Sequence, residues 1–157
     1  MSIEFINREP ELDCLGRLYA QKQSSLVVIY GRRRIGKTTL IKEFIKERNA
    51  LYLIATEESE NENKKNFQRA LAEFTNNPLL KKELILDWSE IFSILRDYQA
   101  DEKKVLVIDE FQYLGKGKKG FPSVFQKVWD EILAGSNVMV IVCGSLVSMM
   151  INQTLSY

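Results

Sequence analysis

The sequence contains no histidine, and this absence excludes several kinds of active site. Zinc sites built on imidazole and hydrolytic triads with a histidine base cannot be formed from these residues. Cysteine is also scarce, with Cys14 and Cys143 as the two examples. Both lie in apolar patterns, Cys14 is expected to be a small buried residue, and the pair matches no spaced metal or redox motif. Zinc–thiolate and dithiol redox functions are therefore not expected.

Long apolar runs and a strong net charge are lacking as well. Apolar runs such as residues 138–143 are far too short to cross a bilayer, and the first residues do not resemble a signal peptide. The 22 basic and 21 acidic side chains leave a net charge of +1, so no overall field attracts the chain to nucleic acid or membrane. With 157 residues, 45% apolar and 27% charged, the sequence is typical of one globular domain. We therefore expect a single cytoplasmic domain over residues 1–157 with no membrane partner.

Glycine is sparse too, with eight in the chain, yet two glycines fall in one short stretch. Residues 31–39, GRRRIGKTT, match the P-loop (Walker A) pattern G-x-x-x-x-G-K-[ST], with Gly31, Gly36, Lys37 and Thr38 in the fixed positions. The backbone N–H groups of such a loop cradle phosphates, its lysine reaches the β- and γ-phosphates, and its hydroxyl binds Mg²⁺. Because the pattern fixes only a few positions, the flanking sequence must support it.

The flanking sequence has the required strand, loop and helix. Residues 25–30 form an apolar, β-branched run typical of a buried strand, and residues 40–47 have apolar side chains at helical spacing. This context predicts a nucleotide-phosphate site. The other loop positions are candidates for nucleotide contact, namely Arg32, Arg33, Arg34, Ile35 and Thr39. Three arginines exceed what a backbone cradle needs, so one is a candidate for contact with nucleotide or a neighbouring subunit, and at least two are expected on a solvated face.

An acidic pair follows another apolar run. Residues 104–108 predict a buried strand, and Asp109 and Glu110 stand at its carboxyl end. An aspartate in this position holds Mg²⁺, usually through water, and a neighbouring carboxylate orients or polarises the water that attacks the γ-phosphate. The GTPase patterns D-x-x-G and N-K-x-D are absent from the corresponding places, which favours ATP over GTP. We therefore predict an ATP and Mg²⁺ site with Glu110 as the catalytic base.

A further apolar run, residues 138–143, ends at Gly144 and Ser145. A strand here, between the P-loop strand and the acidic strand, would place Ser145 beside the γ-phosphate as a catalytic sensor of nucleotide state. A plain N-cap of a following helix explains Ser145 equally well. The alternation of patterns predicts an α/β fold with a parallel sheet. Strands are predicted at 25–30, 50–55, 104–109 and 138–143, and helices at 10–22, 40–47, 67–74, 79–86, 87–99, 122–133 and after Ser145.

With these residues identified, the chain resembles the archaeal-type ATPase family, a branch of the AAA+-like STAND P-loop NTPases. The segments that carry the resemblance are FINREPEL (5–12), GRRRIGKTT (31–39), VLVIDEFQY (105–113) and VIVCGS (140–145) with SMM (148–150). The resemblance implies a three-layer α/β/α core with sheet order 5-1-4-3-2. It also implies that Phe5 and Arg8 lie near the adenine base, although a surface salt bridge explains Arg8 as well from the sequence alone.

The family pattern extends beyond this sequence, which implies an incomplete core. Family members continue with a fifth strand, a helical lid that carries a phosphate-sensing arginine, and often a winged-helix or nuclease-like region, whereas this sequence stops at Tyr157. The resemblance therefore implies an ATPase core without these parts that hydrolyses ATP weakly. DNA is then a candidate partner of the missing parts, and a second copy of the chain is a candidate partner of the core.

Two other functions stand as alternatives. The first is a nucleic-acid-binding or signalling module that uses ATP as a ligand with little hydrolysis, and no interleaved aromatic residues or recognition helix support it. Its support is local basic sequence, namely the three loop arginines, Lys64, Lys65, Lys116, Lys118 and Lys119. The second is a small-molecule kinase, although Glu110 directly after Asp109 favours water over an organic acceptor. We expect an ATPase or an ATP-driven conformational switch, with ATP and ADP as its ligands.

Overall fold

The computed structural model describes residues 9–30, 36–81, 84–115 and 121–144. Its strands are β1 (Ser25–Tyr30), β2 (Ala50–Ile54), β3 (Lys104–Asp109) and β4 (Val138–Gly144). Its α-helices are α1 (Glu9–Ala20), α2 (Lys37–Ile45), α3 (Glu60–Thr75), α4 (Trp88–Asp97), α5 (Gln112–Gly115) and α6 (Phe121–Val128). A 3₁₀-helix covers Pro78–Lys81, and a π-helix, Trp129–Leu133, directly continues α6. In these ranges no helix combines the length and the apolar character needed to span a membrane.

The strands form a parallel sheet in the order β1-β4-β3-β2. Val142 of β4 lies opposite Val28 of β1 on one side and Ile108 of β3 on the other, and Leu53 of β2 continues this row. The strands β3 and β4 are buried along their whole length. This burial explains the continuous apolar runs 105–108 and 138–143 within them, because helices cover both faces of the sheet. The order confirms the 1-4-3-2 part of the sheet order that the resemblance implies.

Alternate residues of each strand contribute to two hydrophobic clusters, one on each face of the sheet. Val105 and Val107 of β3 pack in the cluster formed with α1 and α2. Leu106 and Ile108 pack in the cluster formed with α3, α4 and α6. The three-layer α/β/α architecture is therefore confirmed. Because side chains alternate along a strand, Asp109 belongs to the same face as Val107, the face that carries the P-loop helix α2.

Several of the predicted helices have different extents in the structure. The helix predicted at 67–74 begins earlier, at Glu60. The helix predicted at 122–133 is α-helical only to Val128 and then becomes a π-helix. The helix predicted at 87–99 ends at Asp97, because Tyr98 has an extended backbone conformation. A short 3₁₀-helix, Pro78–Lys81, lies where a helix was predicted at 79–86, and residues 82–83 lie outside the described residues. The predicted helix after residue 145 also lies outside them.

The expectation that Cys14 is buried is wrong, since its side chain is exposed. The inward stripe of α1 contains Leu15, with Leu12, Leu18 and Tyr19 packed against the same cluster. These positions recur with helical periodicity, and Cys14 falls outside the stripe that they form. An apolar neighbourhood in the sequence therefore did not indicate burial of this residue.

The polar segment that follows β2 has an internal anchor. Residues 56–66 are polar and charged, and within them Ser59 caps α3 by accepting the N–H of Glu62. However, Asn63 is only 1% exposed. Its side-chain oxygen accepts the N–H of Thr56 at 3.0 Å, and its amide donates to the Thr56 carbonyl at 3.1 Å. A buried amide therefore fixes the path of the chain from β2 into α3.

Two adjacent lysines at the start of β3 are buried and bind backbone carbonyl groups. Lys104 Nζ donates to the carbonyl oxygens of Leu95, Arg96 and Tyr98 at 2.6, 2.9 and 2.7 Å. Lys103 Nζ donates to two carbonyl oxygens in the segment after α1. Burial lowers the pKa of both side chains. These contacts fasten the ends of α4 and α1 to the amino end of β3, opposite the edge where the predicted site lies.

Candidate functional site

Helix α2 begins at the lysine of the glycine-rich motif. Gly36 precedes it as the N-cap residue, with φ at 82° in the left-handed region, and its carbonyl accepts the N–H of Leu40 at 2.9 Å. Glycine adopts this conformation without the cost that a Cβ atom imposes, which explains the second glycine of the motif. A glycine N-cap also has no side chain to accept the N–H groups of the first helical turn. These donors and the positive end of the helix dipole suit an anion such as phosphate.

Lys37 and Thr38 occupy the first two positions of α2. Lys37 is only 9% exposed, and its charge acts on Cys143 of β4. Thr38 is exposed, and its hydroxyl donates to Oδ2 of Asp109 at 3.2 Å. Thr39, in the same turn, is exposed as well. The start of α2 therefore lies at the carboxyl ends of β3 and β4.

Asp109, the last residue of β3, is 6% exposed, and donors surround its carboxylate. Oδ1 accepts the backbone N–H of Glu110 at 2.8 Å. Oδ2 accepts the hydroxyls of Thr38 and Tyr52. Burial of a carboxylate is costly unless it is hydrogen-bonded, and hydrogen bonds to a charged acceptor are among the strongest in proteins. A helix, a neighbouring strand and the following turn thus fix the orientation of this carboxylate.

Two neighbours of Asp109 hold their protons more tightly than usual. Burial raises the pKa of the Tyr52 phenol, and the hydrogen bond to Asp109 and its negative charge raise it further. Burial also raises the pKa of Cys143 to about 12, with a further contribution from Asp109 and an opposing one from Lys37. Tyr52 is therefore a stable hydrogen-bond donor at neutral pH, and Cys143 is a protonated thiol of low reactivity.

Glu110 has a backbone conformation that is uncommon for a residue with a Cβ atom. Its φ of 55° lies in the left-handed region. The turn is held on both sides, because Phe111 N–H donates to the Cys143 carbonyl at 3.0 Å and Tyr113 N–H donates to the Glu110 carbonyl at 3.0 Å. Strain of this kind costs on the order of 1–3 kcal/mol and is concentrated at functional sites. The fold therefore retains an unfavourable backbone conformation at Glu110.

The oxygen atoms at this edge of the sheet fit Mg²⁺. Carboxylate, hydroxyl and water oxygens are the ligands that this ion prefers, and it commonly takes one or two carboxylates together with substrate phosphates. The Thr38 hydroxyl donates its one proton to Asp109, so its oxygen lone pairs remain for a cation. Within the described part of the chain, no group of three or more His, Cys, Asp or Glu side chains could hold a metal. A cation here therefore needs phosphate and water in addition to protein ligands.

The structure brings one part of the predicted site together. Gly36, Lys37, Thr38, Asp109 and Glu110 lie at the carboxyl end of the sheet, around the contact between α2 and β3. Thr39 lies nearby in the first turn of α2, and the remaining predicted positions lie outside the described residues. They are Phe5, Arg8, Gly31, Arg32, Arg33, Arg34, Ile35 and Ser145, together with the lysines Lys116, Lys118 and Lys119.

Tyr52 is a site residue that the sequence did not reveal. Its contact with Asp109 depends on the pairing of β2 with β3, which joins segments more than fifty residues apart. The available signal was indirect. Tyr52 has an aromatic ring with a polar tip, and it lies near the end of a strand that was expected next to β3.

Comparison with known proteins identifies relatives of the chain. A family model described as an ATPase domain predominantly from Archaea matches residues 5–157. The uncharacterized protein MJECL04 of Methanocaldococcus jannaschii is 35% identical over 153 residues, which are 98% of this chain and 32% of that protein. The chain therefore spans about a third of the length of this relative.

Solved structures of other proteins share the fold. The Walker-type ATPase PABY2304 of Pyrococcus abyssi has a TM-score of 0.69 at 24% identity, over 96% of this chain and 49% of that one. Cdc6p from Pyrobaculum aerophilum has a TM-score of 0.60 at 18% identity, over 92% and 40% of the two chains. These likenesses agree with the P-loop ATPase core inferred from the sequence. Together with the family match they confirm the resemblance: the chain belongs to the family of ATPase domains found predominantly in Archaea, a family of ATP-binding domains.

Proposed function

We propose that this domain binds ATP together with Mg²⁺ and hydrolyses it to ADP and inorganic phosphate. The observation that carries the proposal is the hydrogen bond of 3.2 Å from Thr38 to Asp109. It joins the hydroxyl next to the P-loop lysine to the carboxylate at the end of β3. P-loop NTPases use these two groups, a P-loop hydroxyl and a strand-end aspartate, around Mg²⁺. Membership of the ATPase family supports ATP as the nucleotide.

The start of α2 has the proposed task of binding phosphate. The N–H groups of its first turn and the Lys37 ammonium are the donors, and the helix dipole adds to their attraction for an anion. Lys37 is largely buried, so its attraction to phosphate is screened less than it would be in water. Thr38 and Asp109 are the proposed Mg²⁺ ligands, Asp109 directly or through water. The ion, when bound, neutralises charge on the phosphate oxygens.

Glu110 is the proposed general base. Its carboxylate accepts a proton from the water that attacks the γ-phosphorus, while the new P–O bond forms and the bond to the ADP oxygen breaks. The left-handed backbone at this residue supports the proposal, because strain is retained where the surrounding structure needs the residue in that position. Glu110 is partly exposed, so the proton it accepts is released to solvent.

Other parts of the proposal rest on the family resemblance. Phe5 and Arg8 are the proposed contacts to the base, Ser145 is the proposed sensor of the γ-phosphate, and the loop residues 31–35 complete the proposed phosphate cradle. DNA is a proposed partner of the regions that family members have beyond this core, and a second copy of the chain is a proposed partner of the core itself. None of these carries the proposal of hydrolysis, which depends on the described contacts of α2 and β3.

The alternative of a nucleic-acid-binding module has less support from the described residues. Lys65 pairs with Glu62 on the same helix at 3.4 Å. The Lys64 ammonium lies 5.7 Å from the centroid of the Trp88 ring. Both of these basic side chains therefore have contacts within the domain itself.

The proposal is tested by measuring how fast the chain releases inorganic phosphate from ATP, once with Mg²⁺ present and once with EDTA. We expect release that depends on Mg²⁺ and needs no organic acceptor, which also distinguishes hydrolysis from a kinase reaction. Glu110→Gln should bind ATP as the parent does and lose about a hundredfold in kcat, whereas Lys37→Ala should lose tight ATP binding. Unchanged turnover by Glu110→Gln would refute the base assignment. A parent chain that binds no ATP would refute the proposal as a whole.

A further inference from the structure

Tyr52 reaches the proposed Mg²⁺ site from a strand that carries neither the P-loop nor the acidic pair. In the pairing of β2 with β3 it lies opposite Val107, and Ile54 lies opposite Asp109. Tyr52 and Asp109 are therefore diagonal neighbours on one face of the sheet, a separation that an aromatic side chain can span. The phenol hydroxyl donates to Oδ2 of Asp109.

We propose that Tyr52 is a positioning residue, whose hydroxyl holds the Asp109 carboxylate in the orientation that Mg²⁺ needs. The inference rests on the proposed function, since it assigns a partner to the proposed metal ligand. Oδ2 has two hydroxyl donors, Tyr52 and Thr38. The Thr38 oxygen has the second task of binding the cation, whereas Tyr52 only orients the carboxylate. Removal of a group that hydrogen-bonds to a metal ligand typically lowers the affinity for the metal by about 10–100-fold.

The position of the tyrosine ring does not depend on this hydroxyl. The ring packs against the cluster formed with α1 and α2, and Lys42 Nζ lies 5.8 Å from its centroid. Because Tyr52 is only partly buried, a hydroxyl without a role in the site could bond to water at little cost. Its hydrogen bond to a charged, buried carboxylate is therefore the feature that packing does not explain.

Two tyrosine-to-phenylalanine variants separate positioning from packing. Tyr52→Phe removes the hydroxyl and retains the ring. Tyr19→Phe is the matched control, because Tyr19 packs against the same cluster and donates to the Lys103 carbonyl at 3.5 Å, at the opposite end of β3 from Asp109. Mn²⁺, followed by EPR, is titrated into each protein with equimolar ADP, and ADP binding in EDTA is measured by calorimetry. Tyr52→Phe should bind Mn²⁺ about tenfold more weakly with ADP binding in EDTA unchanged, and Tyr19→Phe should match the parent.

The remaining outcomes each contradict a different statement. Equal Mn²⁺ affinity in Tyr52→Phe and the parent would overturn the inference and leave the proposed function standing. Loss of ADP binding in EDTA by Tyr52→Phe would identify a structural role and overturn the inference as well. Failure of the parent with ADP to bind Mn²⁺ would overturn the proposed function and, with it, the positioning role.

Discussion

Thr38 donates a hydrogen bond to Asp109 across 71 residues of sequence. Thr38 comes after β1 and Asp109 is the last residue of β3, and these strands are not neighbours because β4 lies between them in the sheet. The contact forms because α2 packs across this part of the sheet, where Ile41 shares a hydrophobic cluster with Val107 of β3. With one strand between β1 and β3, the start of α2 and the end of β3 are close enough for the side chains of Thr38 and Asp109 to form a hydrogen bond.

The hydroxyl of Thr38 should determine how much Mg²⁺ strengthens nucleotide binding. Thr38→Val removes both the donor to Asp109 and the proposed cation ligand, so the gain in ADP affinity from Mg²⁺ should fall about tenfold or more. Thr38→Ser keeps a hydroxyl and should stay within about threefold of the parent by the same argument. Calorimetry with Mg²⁺ and with EDTA measures this gain, and affinity in EDTA should change little in either variant. A full Mg²⁺ gain in Thr38→Val would show that the hydroxyl is not a ligand.

The left-handed backbone of Glu110 predicts an unusual order of stability among its variants. A φ of 55° is unfavourable for a residue with a Cβ atom, by roughly 1–2 kcal/mol, whereas glycine adopts it freely. Glu110→Gly should therefore be more stable to urea than Glu110→Ala by about 1 kcal/mol. Both variants lack the carboxylate, and both should lose ATP hydrolysis. Equal stability of the two, or a more stable alanine variant, would argue against strain at this position.

The strands and the P-loop half of the site could be predicted because neighbouring residues determine them. Runs such as residues 105–108 are apolar at successive positions, which only a strand covered on both faces requires. The spacing of Gly36, Lys37 and Thr38 is likewise a local property. The order of the strands depends on pairing between distant segments, and it was correctly predicted only through the family resemblance.

The features that could not be predicted depend on contacts between distant segments. Tyr52 joins the site through the register of β2 on β3, which a single sequence does not specify. Asn63 lies in a polar segment, and its burial depends on how the chain turns from β2 into α3. Cys14 shows the opposite error, because its apolar neighbours pack on the sheet while it faces outward.

The two cysteines should differ strongly in their reaction with a thiol reagent such as DTNB. Cys14 is exposed, whereas Cys143 is buried and burial raises its pKa to about 12. Because the thiolate is the reactive form, the native chain should release one equivalent of chromophore quickly, and denaturant should release the second. Cys14→Ser should lack the fast phase. Two fast equivalents from the native parent would show that Cys143 is accessible.

Lys104 should stabilise the fold by donating hydrogen bonds to the carbonyl groups at the end of α4. Its Nζ donates to three carbonyl oxygens, so Lys104→Met leaves them without this donor and should lower the free energy of unfolding by about 1–3 kcal/mol at neutral pH. Lys46→Met, at an exposed position after α2, is the control and should stay within about 0.5 kcal/mol of the parent. Urea unfolding measures both, and an unchanged Lys104→Met would show that water replaces the ammonium.

The difference between the parent and Lys104→Met should also depend on pH. Burial holds the pKa of Lys104 below its ordinary value of 10.5, with an opposing contribution from Asp97. Between the folded-state pKa and the ordinary value, the unfolded chain binds more protons than the folded chain, so this lysine makes the free energy of unfolding rise with pH. The parent should therefore gain stability relative to Lys104→Met as the pH approaches that ordinary value from below. Urea unfolding of both proteins across this range gives the difference directly, and a difference that shrinks with rising pH would mean that the ammonium form is favoured in the folded chain.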